Sequence, residues 1–482
     1  MNMTEGKKKK TLWNFIDNLE GDKVVWMIVL LLILFSIVAI FSSTTQMTTS
    51  TGMTRMEIVG EQMMLALIGL LVIIGCYIIP KIGIFRILSQ FGYAASMILL
   101  LILVFRLDLG PVKALRINDA WRIVSVFGLQ VHVFEFVKVV MVMYLAWATT
   151  TLRKDDFTIV NNLSQIHPFW KKTIVKKIVY IYIPLFSTCL CMMVGSLSST
   201  IFIGGILAIT LLVGGIKFKE LLLAGAVAVA MLTASIGFNA CFPAGHKPFP
   251  HLEHALSRVG DDKDIDTNLK IMEESPEKSP EFYAARDKIY QPMSAKIALK
   301  EGGLFGKGPG KSTQSSVVSI MYEDFMFCFI VEEYGLVGGI ILIILYISLL
   351  ARASIIVRNC DNPFAKTAVG GLAILITGQA MMHIAVNSSI VPLTGQTLPM
   401  ISHGASSFLM FSLAFGIILS ISKMAKRKID KETKDAEPLV NREVAVRDEV
   451  RSGMDDLDLM ESGYPVHEND IPDYEIDDHN NE

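Results

Sequence analysis

The chain has 482 residues, 52% of them hydrophobic and 19% charged, with a formal net charge of -2. Soluble domains carry about 25% charge, and here the apolar residues fall in long runs with the charge confined to gaps and tails. That distribution excludes a soluble enzyme with one anchor and a disordered chain, and no basic stripe speaks for nucleic acid.

Ten apolar runs are long enough to cross a bilayer core of about 30 Å as helices. They are Val24–Phe41, Met63–Ile79, Phe91–Phe105, Val131–Thr149, Ile178–Gly195, Thr200–Ile216, Leu221–Phe238, Phe325–Leu350, Thr367–Asn387 and Ala405–Ser422. Lipid offers the backbone no hydrogen-bond partners, so the runs are expected to be helical. The first is read as a retained anchor, because no small-residue cleavage site follows it. The expected fold is an all-α polytopic membrane protein with ten transmembrane helices and a large extracytoplasmic loop between helices 7 and 8. Residues 1–23 form an N-terminal segment, 24–424 the membrane domain with its loop at 239–323, and 425–482 a tail.

Basic residues orient the bundle. Lys7–Lys10, Lys81 and Arg86, the cluster from Arg153 to Lys177, Lys217 and Lys219, Arg352 to Lys366, and Lys423 to Lys428 occupy alternate gaps. All fall on one side, taken as cytoplasmic, which puts both termini inside. Arg106, Lys113, Arg116 and Arg122 break the rule by lying on the outer side. They are either a patch against anionic headgroups or part of a site for an anionic group.

The outer gap from Asn239 to Glu323 is far longer than an ordinary connection. Asp261–Pro280 reads as a flexible polar insertion, and Gly302–Ser312 is rich in glycine and lysine. Such glycines let backbone approach an anion closely, with Lys307 and Lys311 adding charge; a simple hinge is the alternative. The tail turns acidic, with eleven Asp and Glu and no Lys or Arg after Arg451, and is expected to be disordered. The six cysteines of the chain, Cys76, Cys189, Cys191, Cys241, Cys328 and Cys360, form no CxxC pair and read as small apolar residues.

Charges inside spans are costly and normally face a cavity or a partner. Glu135 and Lys138 lie three residues apart on the fourth span and share a face. The eighth span opens at Glu323 and Asp324 and carries Glu332 and Glu333. Asp324 sits at the outer boundary, as an interface residue or as a base facing an outward cavity. His383 in the ninth span reads as a hydrogen-bonded interior residue. The stretch Val391–Ser407 places prolines, glycines and hydroxyls at membrane depth, where they require burial or a wet cavity.

Four stretches in this order resemble the SEDS family, the FtsW, RodA and SpoVE group of cell-wall synthases. They are the glycine loop Leu299–Ser312, Tyr322–Gly335 with its EEYG ending, Pro392–Ser407, and the weaker Asn118–Lys138. The Glu20–Trp26 start and the EEYG form are closest to the septal branch. The chain departs from the pattern at His132-Val-Phe-Glu135, at Ser196–Thr200, and at His403 and Ala405.

The resemblance implies a peptidoglycan glycosyltransferase of the inner membrane that polymerises lipid II at its outer face during cell division. Asp324 matches the family's essential aspartate and would be the base for an acceptor hydroxyl. Cationic groups should receive the departing pyrophosphate. Lys138, Arg122, Lys307 and Lys311 are the candidates, with Glu135, Gln291, Ser402, Ser406 and Ser407 as further substrate-binding residues. The family works with a class B penicillin-binding protein and other divisome membrane proteins. No cofactor is specified; a divalent cation, Mg or Mn, is left open. A lipid II flippase and a non-catalytic divisome scaffold are the competing readings.

Overall fold

The computed structural model describes residues 20–43, 48, 52–79, 81–117, 120–155, 157, 169, 172–241, 261–276, 279–314, 321–392 and 394–427. The N-terminal lysines and the acidic tail lie outside them. Among the described residues nine helices are long and apolar enough to cross a membrane, and a tenth, shorter apolar helix completes the expected set.

In chain order the spans are α1 (Lys23–Ser43), α2 (Arg55–Ile78), α3 (Ile82–Val104), α4 (Val133–Lys154) and α5 (Thr173–Met193). Then come α6 (Leu197–Val213) and α7 (Phe218–Ala240). Between α7 and the next span lie α8 (Asp261–Glu274), α9 (Pro280–Gly302) and the single turn α10 (Met321–Asp324). The last spans are α11 (Met326–Asn359), α12 (Pro363–Asn387) and α13 (Ala405–Arg427). Local chemistry starts several of them. Thr54 and Glu57 form a capping box on α2, Ser196 and Ser279 cap α6 and α9, and Asn362 caps α12 with Pro363 in its first turn.

Three features depart from the sequence reading. A three-stranded antiparallel sheet of β1 (Val112–Ile117), β2 (Ala120–Val126) and β3 (Leu129–His132) sits between α3 and α4. Val131 and His132 therefore belong to a strand, and the fourth span begins at Val133. The tight turn uses Phe127 and Gly128 at φ 51° and 87°, the pair of positive angles that suits the twist of a hairpin. The segment expected to be a flexible insertion contains the helix α8.

The core is a packed set of central helices. α4, α12 and α13 bury most of their length, whereas α7 exposes nearly all of its apolar surface. α4 packs on α3, α6 and α12, and α11 packs on α12 and α9. With ten alternating crossings, the sheet, the α5–α6 turn and the described parts of the α7–α11 and α12–α13 connections share one end of the bundle. The described basic residues of the other gaps share the opposite end.

α11 is broken. Gly335 takes φ 72° and ψ −177°, a conformation essentially restricted to glycine, and interrupts the helix nine residues into the span. The glycine-rich loop after α9 repairs the ladder. Lys307 N–H and Gly308 N–H donate to the carbonyls of Glu332 and Glu333, both at 2.9 Å. Leu336 N–H and Val337 N–H donate back to Gly303 and Leu304 at 3.0 and 3.2 Å. Irregular backbone is thus buried in protein, as lipid requires.

Candidate active site

Asp324 ends α10, immediately before the chain turns into α11. Phe325 between them is non-helical at φ −121°, ψ 23°, so the carboxylate is presented at a break between two helices. The α12–α13 connection folds over that break. Ser402 Oγ–H donates to the Glu323 carbonyl at 2.7 Å and accepts the Leu398 N–H at 2.9 Å. Gly395 at φ 64° brings the connection against the carboxylate: a Cβ there would lie 3.7 Å from Asp324 Oδ2.

The same position would lie 3.9 Å from Arg122 Nη1, so Arg122 and Asp324 border the same glycine. Its Nε–H is anchored on the Gly195 carbonyl at 3.3 Å. Of the four outer basic residues, Arg122 therefore turns inward from β2, whereas Arg106 stacks 5.7 Å over the Trp121 ring. Burial raises the Asp324 carboxyl to about 6, with the Arg122 charge opposing the rise. Burial and then the Asp324 charge raise Glu323 to about 7. A carboxylate tuned close to neutrality beside a cation is suited to accept a proton.

One residue further on, Gln396 belongs to a second, drier cluster. Lys138 is 1% exposed, and its ammonium donates to Glu135 at 2.8 Å, Gln379 Oε1 at 2.9 Å and Gln396 Oε1 at 2.7 Å. An ammonium has three donors, and these three acceptors use them all. Gln396 in turn donates to Ser199 Oγ at 2.9 Å, and Gln379 to the Thr397 carbonyl at 3.0 Å. Ser407 Oγ lies 2.7 Å from Thr397 Oγ1 and 3.4 Å from Glu135 Oε2. The expected Glu135–Lys138 pair forms, and the structure gives it the work of fixing residues 396–397 beside Asp324. The divergent serines of Ser196–Thr200 are absorbed here, capping α6 and holding Gln396.

The other expected residues separate. Ser406 Oγ accepts the His132 N–H at 3.1 Å and ties the sheet to the start of α13. Gln291 lies half-buried on α9. Lys307 pairs with Glu301 and, at 2.8 Å, with Glu332, so its charge is already countered. Lys311 is exposed in the glycine loop. Glu333, which the sequence reading left without a role, accepts from Ser42 Oγ at 2.5 Å and from Gly310 N–H at 3.0 Å. The glycine loop is therefore a clasp on two carboxylates and a broken helix. Its lysine is the partner that Glu332 at membrane depth required. Among the described residues no group of three or more His, Cys, Asp or Glu is arranged to hold a metal ion.

A bundle of apolar helices with a raised carboxylate and an arginine at one end defines a multi-pass membrane protein with a charged site at one face of its helical domain. The chain belongs to the cell cycle protein family of FtsW, RodA and SpoVE, whose model matches residues 22–427. It is 37% identical over 132 residues to a probable peptidoglycan glycosyltransferase FtsW of Caulobacter vibrioides, a match covering 27% of this chain and 34% of the relative. The chain thus spans about a third of that relative's length. A probable peptidoglycan glycosyltransferase FtsW of Enterococcus hirae is 26% identical over 68% of this chain and 73% of its own. The fold is shared with a chain of a peptidoglycan synthase complex that coordinates polymerization and crosslinking. That likeness has a TM-score of 0.55 at 18% identity, over 84% of this chain and 98% of the other.

Proposed function

We propose that the protein is an inverting peptidoglycan glycosyltransferase that polymerises lipid II at the outer face of the bacterial cytoplasmic membrane during division. The observation that carries this reading is the convergence of Asp324 and Arg122 on Gly395, at the end of the bundle opposite the basic loops. By the distribution of Lys and Arg that end faces outward, where the lipid-linked substrate is displayed, and both termini lie inside.

In the proposed reaction the Asp324 carboxylate takes the proton of the acceptor sugar's 4-hydroxyl as its oxygen attacks the donor's anomeric carbon. The anomeric bond to pyrophosphate breaks with inversion, and the leaving group carries the negative charge. Arg122 is the cation of this site placed to stabilise that charge, because Lys138 has spent its donors within the protein. Lys138, Glu135, Gln396 and Ser407 are positioning residues in this reading. A class B penicillin-binding protein is the proposed partner and the division septum the proposed location.

The test is reconstitution with the cognate transpeptidase and fluorescent lipid II. Glycan ladders that vanish in Asp324→Asn, with span insertion normal, are expected. Full activity in Asp324→Asn would overturn the assignment of the base. Lipid movement without ladders would identify a flippase, and partner binding with neither would identify a scaffold.

A further inference from the structure

The break at Phe325 leaves two gaps in the helix ladder. A helix continued through Phe325 would pair Phe327 N–H with the Glu323 carbonyl and Cys328 N–H with the Asp324 carbonyl. All four groups are filled from outside instead. Phe327 N–H donates to His383 Nε2 at 3.3 Å, and the Glu323 carbonyl accepts from Ser402 Oγ. Cys328 N–H donates to Asn387 Oδ1 at 3.1 Å, and Asn387 Nδ2–H donates to the Asp324 carbonyl at 2.9 Å. The ladder resumes with Phe329 N–H on the Phe325 carbonyl.

The Asn387 amide is thus inserted into the bond that would otherwise join Asp324 to Cys328. Its second N–H is bound by the His383 carbonyl at 2.9 Å, so the amide can neither flip nor swing away. Because His383 Nε2 accepts a backbone N–H, its proton lies on Nδ1, which bonds the Gln396 carbonyl at 2.6 Å. His383 and Asn387 lie one turn apart on α12 and are 1% and 0% exposed. One face of α12 therefore grips the backbone that carries Asp324. The same face fixes the carbonyl of the residue after Gly395, the glycine that Arg122 and the carboxylate both border.

We infer that Asn387 and His383 are positioning residues that hold open the break at Phe325 and so aim the Asp324 side chain at the Arg122 side of the site. The inference rests on the reading of Asp324 as the base. Without these two side chains Phe327 N–H, Cys328 N–H and the Asp324 carbonyl lose their partners, and the bond from Cys328 to Asp324 would close and continue the helix. Asp324 would then turn about its helix axis, away from Gly395. Misplacement of a reacting group by about 1 Å is enough to cost about 100-fold in rate.

Two measurements on the full-length protein with its transpeptidase test this. The first is steady-state consumption of fluorescent lipid II by Asn387→Leu, His383→Leu and His383→Gln. Asn387→Leu and His383→Leu are expected to lower kcat by about 10- to 100-fold with KM little changed. His383→Gln keeps an acceptor within reach of Phe327 N–H and is expected to recover most of the rate. The second is hydrogen–deuterium exchange of the peptide containing Phe327 and Cys328, which changes in Asn387→Leu and not in Asp324→Asn. Wild-type kcat in a monodisperse Asn387→Leu or His383→Leu protein overturns the inference, as does equal loss in His383→Leu and His383→Gln. Should Asn387→Leu not fold, the His383 pair decides alone. Activity surviving in Asp324→Asn would instead sink the base assignment, whatever the exchange pattern.

Discussion

Arg122, on the second strand of a small sheet, and Asp324, at the end of a single helical turn, converge on one glycine. Arg122 Nη1 and Asp324 Oδ2 lie 3.9 and 3.7 Å from the place a Gly395 side chain would occupy. The two residues are about 200 positions apart in the chain, so three separate connecting segments build this site. A substitution at Gly395 tests it directly. Gly395→Ala adds a methyl that touches both charges and forces a residue with a Cβ to hold φ 64°, at about 1–2 kcal/mol. Glycan synthesis is expected to fall by about an order of magnitude or more, with insertion of the spans unchanged.

The acid limb of the rate profile follows from the carboxylate pair. A base must be ionised, so polymerisation should fall as pH drops through about 6, the value to which burial raises Asp324. Glu323, raised to about 7 beside it, couples to the same titration, so the limb belongs to the pair. Arg122 is the opposing charge. Arg122→Met removes the influence that lowers Asp324, and the limb should move to higher pH as kcat falls. A pH–rate profile with an unmoved limb in Arg122→Met would mean that the guanidinium does not act on this carboxylate.

Lys138 should behave as part of the frame. With three acceptors around its ammonium and 1% exposure, Lys138→Met leaves Glu135 without its cation and the side-chain oxygens of Gln379 and Gln396 without this donor. Removing one partner of a buried ion pair costs about 3–5 kcal/mol. The expected result is a lower thermal transition and poor recovery of folded protein. A stable Lys138→Met protein with a raised KM for lipid II would instead show that the ammonium meets substrate.

The membrane bundle was readable because lipid leaves a chain little freedom. Every crossing must be a long apolar helix, and the runs announce themselves. The sheet was not, because Val112–Val126 mixes Lys113, Arg116, Asp119 and Arg122 with apolar residues and carries no clean alternation. Helix α9 did have a signal, Ser279 followed by Pro280, a cap and a first-turn proline inside a loop otherwise judged by its charge. Asp324 was visible at a boundary and through family resemblance, but its convergence with Arg122 on Gly395 is a tertiary fact. His383 and Asn387 looked like interior residues of a span and are that. What the sequence could not show is the broken helix opposite them, whose backbone they complete. The need of Glu332 for a cation was legible in principle, with Lys307 and Lys311 the two lysines that precede it most closely, but the sequence does not say which of them turns to it.

The clasp yields the last expectation. Gly335 sits at φ 72° and ψ −177°, where a side chain costs about 1–3 kcal/mol even in open space. Space is lacking too, since a Cβ there would collide with the Leu304 carbonyl and lie 2.5 Å from Gly306 N. Gly335→Ala must either push the loop off α11 or straighten the helix. Either way the carbonyls of Glu332 and Glu333 lose the N–H groups of Lys307 and Gly308, and the Lys307–Glu332 pair loosens. The variant is expected to show faster hydrogen–deuterium exchange across residues 303–313 and a lower thermal transition than wild type. Gly60→Ala is the matched control, because Gly60 is helical, has nothing within 4 Å of its Cβ position, and should gain about 0.5–1 kcal/mol from the better helix former. If Gly335→Ala melts like Gly60→Ala, the loop is not what completes the broken helix.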